Sequence, residues 1–244
     1  WEFSLQTTPI NTLAFTWKTN FTMSINRNKL LSYPNLASSS NSLTYQIGKP
    51  LNLIWGYEYL GINAADGQPQ FRDVNGDGFI SFPDDYVPLA NNIPTFFGGL
   101  GNSFNYKNFD LDVFFSFKKN THIYNYPFTS AGSVINAPAI VLDRWQHPGE
   151  EAKFPAYTTN SSTMSNYNSS GANFVDGSYI RLSNITLSYS VPGKILEKLK
   201  LKNLRAYATG ANLLTITSYK GTDPETGVDM PMLRTFTLGI RTSF

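Results

Sequence analysis

Between positions 13 and 25 the side chains sort by parity. Leu13, Phe15, Trp17, Thr19, Phe21, Met23 and Ile25 alternate with Ala14, Thr16, Lys18, Asn20, Thr22, Ser24 and Asn26. A period of two places successive side chains on opposite faces of a β-strand. The run keeps its apolar face for 13 residues. Strands of soluble domains usually span about 5–6 residues, whereas a tilted strand crossing a bilayer needs about 9–11. The opposite face is Thr, Asn and Ser with a single Lys. A sheet facing bulk water ordinarily carries more charge; the wet lumen of a large barrel accommodates a polar, weakly charged face. Any fold for this chain has to accept a long strand with one greasy and one uncharged polar side.

Other segments repeat the pattern. Trp1, Phe3 and Leu5 alternate with Glu2, Ser4 and Gln6; Phe109, Leu111, Val113, Phe115 and Phe117 alternate with Asp110, Asp112, Phe114, Ser116 and Lys118. Ile185, Leu187, Tyr189 and Val191 alternate with Thr186, Ser188 and Ser190, and Phe236, Leu238, Ile240 and Phe244 share one face of the last segment. The expected strands lie at about 1–7, 13–27, 93–106, 108–119, 179–191, 203–217 and 233–244. Turns near 7–12 and 105–108 and a modest connection at 192–202 alternate with long connections at about 28–92, 121–177 and 218–232. Short turns on one side and long loops on the other are the asymmetry of outer-membrane barrels, whose long loops face outward. The segment 47–62 breaks that parity as a spanning strand, so it belongs to the first long loop. The expected fold is therefore all-β: about seven antiparallel strands of a large transmembrane β-barrel, with long extracellular loops.

Composition agrees by exclusion. The chain has no cysteine, so disulfides, thiolate metal sites and a cysteine nucleophile are out. A formal charge of +2 gives no basic field for nucleic acid. Apolar runs last about six residues, against the roughly 20 of a membrane-spanning helix. Asn, Ser and Thr fill 69 of 244 positions, and they supply the polar strand faces. The first residue is Trp1 with no leader pattern after it, so a processed form or a piece of a longer protein is expected.

One stretch has metal-ligand spacing. In Asp73-Val-Asn75-Gly-Asp77-Gly78-Phe79-Ile80-Ser81-Phe-Pro-Asp84, oxygen donors stand at loop positions 1, 3 and 5, Gly at 6, a backbone carbonyl at Phe79 and a carboxylate at position 12. Calcium takes six to eight oxygens, and this spacing wraps donors round one point. Asp84 is shorter than the usual bidentate Glu, and Pro83 argues against flanking helices. The expected site is Asp73, Asn75, Asp77, Phe79 and Asp84 holding a structural Ca²⁺ in an extracellular loop; the competing reading is an acidic turn. His122 and His147 lack ligand-spaced partners, and no nucleophile, phosphate-loop or dinucleotide motif occurs. The chain is not expected to be an enzyme. Trp55, Tyr57, Tyr126 and Trp145 are loop aromatics for which packing is the commoner role and ligand contact the alternative. A short helix is expected over 137–146, with Pro138 near its start.

An ordered series of motifs resembles the C-terminal part of SusC-like (RagA-like) TonB-dependent outer-membrane transporters. It runs from Ile47-Gly-Lys-Pro-Leu and Tyr57-Glu-Tyr-Leu-Gly-Ile62 through Arg72-Asp-Val-Asn-Gly-Asp-Gly-Phe-Ile80, Pro94-Thr-Phe-Phe-Gly-Gly99 and Asp143-Arg-Trp-Gln-His-Pro148. It continues through Asp176-Gly-Ser-Tyr-Ile-Arg-Leu182, Tyr219-Lys-Gly-Thr-Asp-Pro-Glu225 and Leu238-Gly-Ile-Arg-Thr-Ser-Phe244. The resemblance implies a location in the bacterial outer membrane and import of oligosaccharides or peptides. It also implies four partners: the plug and upstream strands of the same barrel, a SusD-like surface lipoprotein, TonB, and lipid. Two other readings stand beside it. One is a SusC-like barrel serving as a non-transporting scaffold of a larger envelope complex; the other is a soluble, secreted, calcium-stabilised β-rich binding module.

Overall fold

The computed structural model describes residues 1–120, 123–124, 136–227 and 230–244. It contains two compact units, residues 1–26, 94–121 and 177–244 in one, and residues 27–93 and 122–176 in the other.

The first unit is a wall. Its strands are β1 (Glu2–Asn11), β2 (Phe15–Ser24), β3 (Phe96–Tyr106), β4 (Phe109–Lys119), β5 (Tyr179–Ser190), β6 (Asn203–Thr217) and β7 (Thr235–Ser243). They form one antiparallel sheet in sequence order. Cross-strand pairing lines side chains into rows. One apolar row runs Leu5, Phe21, Leu100, Phe115, Leu182, Leu214. The next, Thr19, Asn102, Val113, Ile185, Gly210, Phe236, is polar on β2 and β3; beyond it run Trp17, Phe104, Leu111, Leu187, Ala208, Leu238 and then Phe15, Tyr106, Phe109, Tyr189, Ala206, Ile240. On the other face the rows read Gln6, Asn20, Gly101, Phe114, Asn184, Ala211 and Lys18, Ser103, Asp112, Thr186, Thr209, Thr237.

Keeping both Leu182 and Ile185 on the apolar face requires a change of parity. A β-bulge between Leu182 and Asn184, against both neighbouring strands, makes that change. Asn212 stands opposite it with φ of 54°, a left-handed conformation that Asn tolerates better than most residues.

The first strand is longer than the expected 1–7 and ends at Asn11, which shortens the expected 7–12 turn to residues 12–14. Pro9 is the reason the sequence reads as a break. It lies in the β-bulge between Thr7 and Ile10, where the ladder is already interrupted and a missing N–H is tolerated. Leu13, expected on the apolar face of β2, stands exposed in that turn. The connection after β5 contains a helix, α2 (Gly193–Leu199), ended by Lys200 in the left-handed region.

The second unit holds no part of the seven-stranded sheet. Leu53–Tyr57 pairs with Tyr86–Asn91, and Tyr59–Ile62 pairs with Pro69–Phe71. The Ser/Asn-rich stretch folds as helix α1 (Ser161–Asn168), capped by Asn160, whose side-chain oxygen accepts from the N–H groups of Ser162 and Thr163. Met164 and Tyr167, three apart and so on one helix face, pack with Val141 and Phe154 into a small core. The helix expected over 137–146 is a shorter 3₁₀ turn, Ala139–Asp143.

Candidate functional site

The polar face of the wall is hollowed. A concavity of about 700 Å³ is lined by side chains from five strands, among them Gln6, Lys18, Asn20, Ser103, Asp112 and Asn184. A second, of about 380 Å³, shares Lys18, Ser103 and Asp112 and adds Asp110 and Arg205. The polar groups are tied to one another. Ser103 donates to Asp112 at 2.5 Å, Asn105 donates to Asp110 at 2.5 Å, and Thr186 and Thr209 share a bond of 3.0 Å. Arg205 pairs with Asp110 at 3.1 Å and also donates to Ser188. Such a surface presents hydroxyls, amides and a few paired charges to whatever fills it, and among the described residues it holds no nucleophile–base couple.

At the long-loop end, β5 carries a feature that sequence reasoning missed. Arg181 is 2% exposed. Its Nη2 donates to both carboxylate oxygens of Asp223 at 2.8 Å, its Nη1 to Glu225 at 2.9 Å and its Nε to Thr215 at 3.1 Å. Its guanidinium lies 4.9 Å from the Tyr179 ring centroid. This planar fork is the geometry for which Arg, not Lys, is suited. Burial pushes the Asp223 carboxyl up, but the Glu225 N–H and the Arg181 guanidinium outweigh that, and the net position is below the ordinary 3.8. The available signal was one arginine inside an apolar strand and an Asp-Pro-Glu turn after β6; only contact joins them.

The 73–85 loop closes on its own amides. Asp73 accepts from Gly76 at 2.6 Å and Gly78 at 2.8 Å; Asn75 accepts from Asp77, and Asp77 from Phe79. Gly76 and Gly78 have φ of 76° and 86°, where a side chain would be strained. The carboxylate that fastens the loop is Asp85. It is fully buried and accepts from Val74 at 2.6 Å and Ser81 at 2.8 Å. Those two N–H bonds hold its carboxyl below the ordinary value. Asp73, Asn75 and Asp77 share one turn. Among the described residues no three acidic or histidine side chains stand close enough to hold a metal ion, so Asp73, Asp77 and Asp84 do not converge in this conformation. Phe79 is exposed.

The loop aromatics pack. Trp55 donates to the Thr44 carbonyl and Trp145 to that of Ala64; Tyr57 is buried. Tyr126 and His122 lie outside the described residues.

No family model matches the chain. It is 29% identical to TonB-dependent receptor P3 and 30% identical to TonB-dependent receptor P26, both of Formosa agariphila, and all of it is covered in each case. It is 27% identical over its full length to TonB-dependent receptor SusC of Bacteroides thetaiotaomicron. The chain spans 28%, 29% and 26% of the length of these three relatives. Its fold superposes on a structure of the RagAB peptide transporter with a TM-score of 0.82 at 24% identity, covering 100% of this chain and 29% of the other.

Proposed function

The chain being a wall portion of a SusC-like TonB-dependent transporter of the bacterial outer membrane, we propose that it serves import of oligosaccharides or peptides. Its polar face lines the passage, and its long loops meet a SusD-like surface lipoprotein. The single observation that carries this is the sorting of one seven-stranded sheet into a mainly apolar face and a mainly polar face. The outer edges of β1 and β7 have no strand partner among the described residues. Unpaired backbone groups in lipid cost several kcal/mol each, so further strands of the same barrel close both edges. TonB acts on the barrel outside this chain.

The test is made on the complete barrel in its own bacterium. Heat-modifiable gel migration is expected, as is loss of uptake of one class of labelled oligosaccharide or peptide when the gene is deleted. A barrel that migrates as expected while uptake of every class is unchanged favours the scaffold reading. A detergent-free, monodisperse soluble protein overturns both.

For the 73–84 loop we propose a structural calcium ion held by Asp73, Asn75, Asp77 and the Phe79 carbonyl, with Asp84 drawn in on binding. The motif spacing supports it; the present conformation, closed by amides, does not. Protease sensitivity of residues 63–92 in the unmutated protein, with calcium and with chelator, tests it. Equal digestion in both removes the ion.

A further inference from the structure

In the middle of the polar face one ring stands among amides and hydroxyls. Phe114 belongs to the row Gln6, Asn20, Gly101, Phe114, Asn184, and among the described residues lining the concavity of about 700 Å³ it alone is aromatic. Two glycines on the same face of β3 make room for it. A Cβ on Gly99 would stand 2.5 Å from the Phe114 Cζ, and a Cβ on Gly101 would meet the Phe114 Cδ2 at 3.7 Å and the Asn20 Cβ at 4.0 Å. The ring therefore lies over β3, beside Asn20, in the space that side chains at 99 and 101 would fill. Glycine inside a strand weakens the sheet, and it often marks a place where something approaches the backbone closely. Phe114 stays 44% exposed, and among the described residues its ring meets no other ring and no cation. Gln6, Lys18 and Asn20, exposed alongside on β1 and β2, make no side-chain hydrogen bond or ion pair among the described residues.

An exposed ring flanked by unengaged amides is complementary to a pyranose. One side of such a sugar is a plane of C–H groups, which lies against an aromatic ring; each hydroxyl at its rim both donates and accepts, as a side-chain amide does. A peptide finds less here. β2, β3 and β4 are paired on both edges, so they open no backbone ladder to an extended chain. The carboxylate of the concavity, Asp112, already accepts from Ser103, so the unengaged groups are two amides and one ammonium, with no unengaged carboxylate for an amino terminus. Resting on the reading that this face lines a passage, we propose that Phe114 is a stacking subsite for one sugar ring of an oligosaccharide, with Gln6, Asn20 and Lys18 binding its hydroxyls. Phe114 is then the residue that selects oligosaccharide over peptide.

The complete barrel, purified in detergent, is titrated by calorimetry with neutral hexasaccharides of glucose, mannose, galactose or xylose, and with hexaalanine. Binding of at least one hexasaccharide is expected, and none of hexaalanine. Phe114→Leu, which still covers the glycines but has no ring, is expected to weaken that binding about tenfold. Phe114→Tyr, which keeps a ring, is expected to lose less than about threefold, and Asn20→Ala to lose several-fold. Each variant is first checked for heat-modifiable migration, so that a loss of fold is not read as a loss of binding. If Phe114 only packs over the glycines, the Leu and Tyr variants bind saccharide equally well, and that result overturns the proposal. Binding of hexaalanine alone, or of no probe, overturns it as well. So does a Phe114→Cys barrel that takes up no more of a hydrophilic thiol reagent than its parent, because the ring is then covered inside the barrel. Gene-dependent uptake of labelled peptides without saccharide binding overturns only the subsite, whereas gene deletion that changes uptake of neither class overturns the import reading on which it rests.

Discussion

The wall and the loop unit solve the same problem with different materials. In the wall, backbone pairing, shifted at the Thr7–Ile10 and Leu182–Asn184 bulges, fixes each side chain to a face, and almost nothing on the apolar face is buried within the chain: Leu238, Phe236 and Ile240 are more than 70% exposed. In the loop unit four residues, Val141, Phe154, Met164 and Tyr167, form a core, and short hairpins, an Asn cap and carboxylate-closed turns do the rest. The wall leaves its apolar surface to the bilayer; the loop unit has to bury its own. The wall is therefore stabilised by what surrounds it, and the loops by a handful of specific contacts.

The largest expected effect is at Arg181, where the wall borrows the loop strategy. Arg181→Ala strands two carboxylates, Asp223 and Glu225, of which Asp223 is buried. Removing one partner of a buried pair costs about 3–5 kcal/mol. A clear fall in the temperature at which the complete barrel loses its compact gel mobility is expected, with new protease cleavage in 219–227. Arg181→Lys restores a charge but not the bidentate fork, and so recovers only part of the loss. Unchanged melting in Arg181→Ala would show that the 219–227 turn is fastened by something else.

The two faces of the wall are separated by a pair of adjacent substitutions. Leu187 lies in the apolar row with Leu111 and Ala208, and Thr186 in the polar row with Asp112 and Thr209. Leu187→Arg should cost about 2–4 kcal/mol if that row lies near the bilayer midplane. Thr186→Arg, one residue away, should stay within about 0.5 kcal/mol. Urea unfolding of the barrel in vesicles reads both. Equal costs would mean that the faces do not see lipid and water.

That contrast also explains what the sequence made legible. Alternation is a local signal, so the faces of Phe15–Met23 and Phe109–Phe117 could be read without any tertiary information, whereas Leu13 at the end of its run fell into the turn. Where a local signal was broken by chemistry the reading slipped, as at Pro9, which the bulge between Thr7 and Ile10 tolerates. The 182–184 bulge shifts parity inside one strand and needs its neighbours to be seen. Helix α1 was hidden because Ser, Asn and Thr have weak helix propensity; what holds it is a cap and two buried side chains. The Arg181 fork joins residues 42 and 44 positions apart, and nothing in either segment announces the other. In the acidic loop the spacing pointed to Asp84, while the carboxylate that turns inward is its neighbour Asp85.

A smaller effect sharpens the loop side of the comparison. Asn160→Ala removes the acceptor for two orphan N–H groups of α1, at a cost of about 1 kcal/mol. Amide exchange in 161–168 should rise while β1–β7 keep their protection. Loss of protection in the wall as well would show that the two units unfold together.

The subtlest test concerns Asp85. Its ionised form is favoured in the folded loop by the N–H groups of Ser81 and Val74, so its folded pKa lies below its ordinary value. A carboxylate with a depressed folded pKa adds stability that is fully present above the unfolded value. That stability is lost as pH falls through the folded one, because the unfolded chain then binds the proton more readily. Protection of the Val74 and Ser81 amides, corrected for intrinsic exchange, should be flat from about pH 7 to about pH 5 and decline below about 3.9. Asp85→Asn should lower protection at neutral pH and remove the decline, because an amide oxygen accepts the same bonds more weakly and does not titrate. Adding calcium to the unmutated protein separates the two accounts of this loop. If Asp85 and the amides alone close it, protection of these two N–H groups is the same with calcium and with chelator. If an ion bridges Asp73, Asp77 and Asp84, calcium raises protection, and the decline appears in chelator at a higher pH than in calcium.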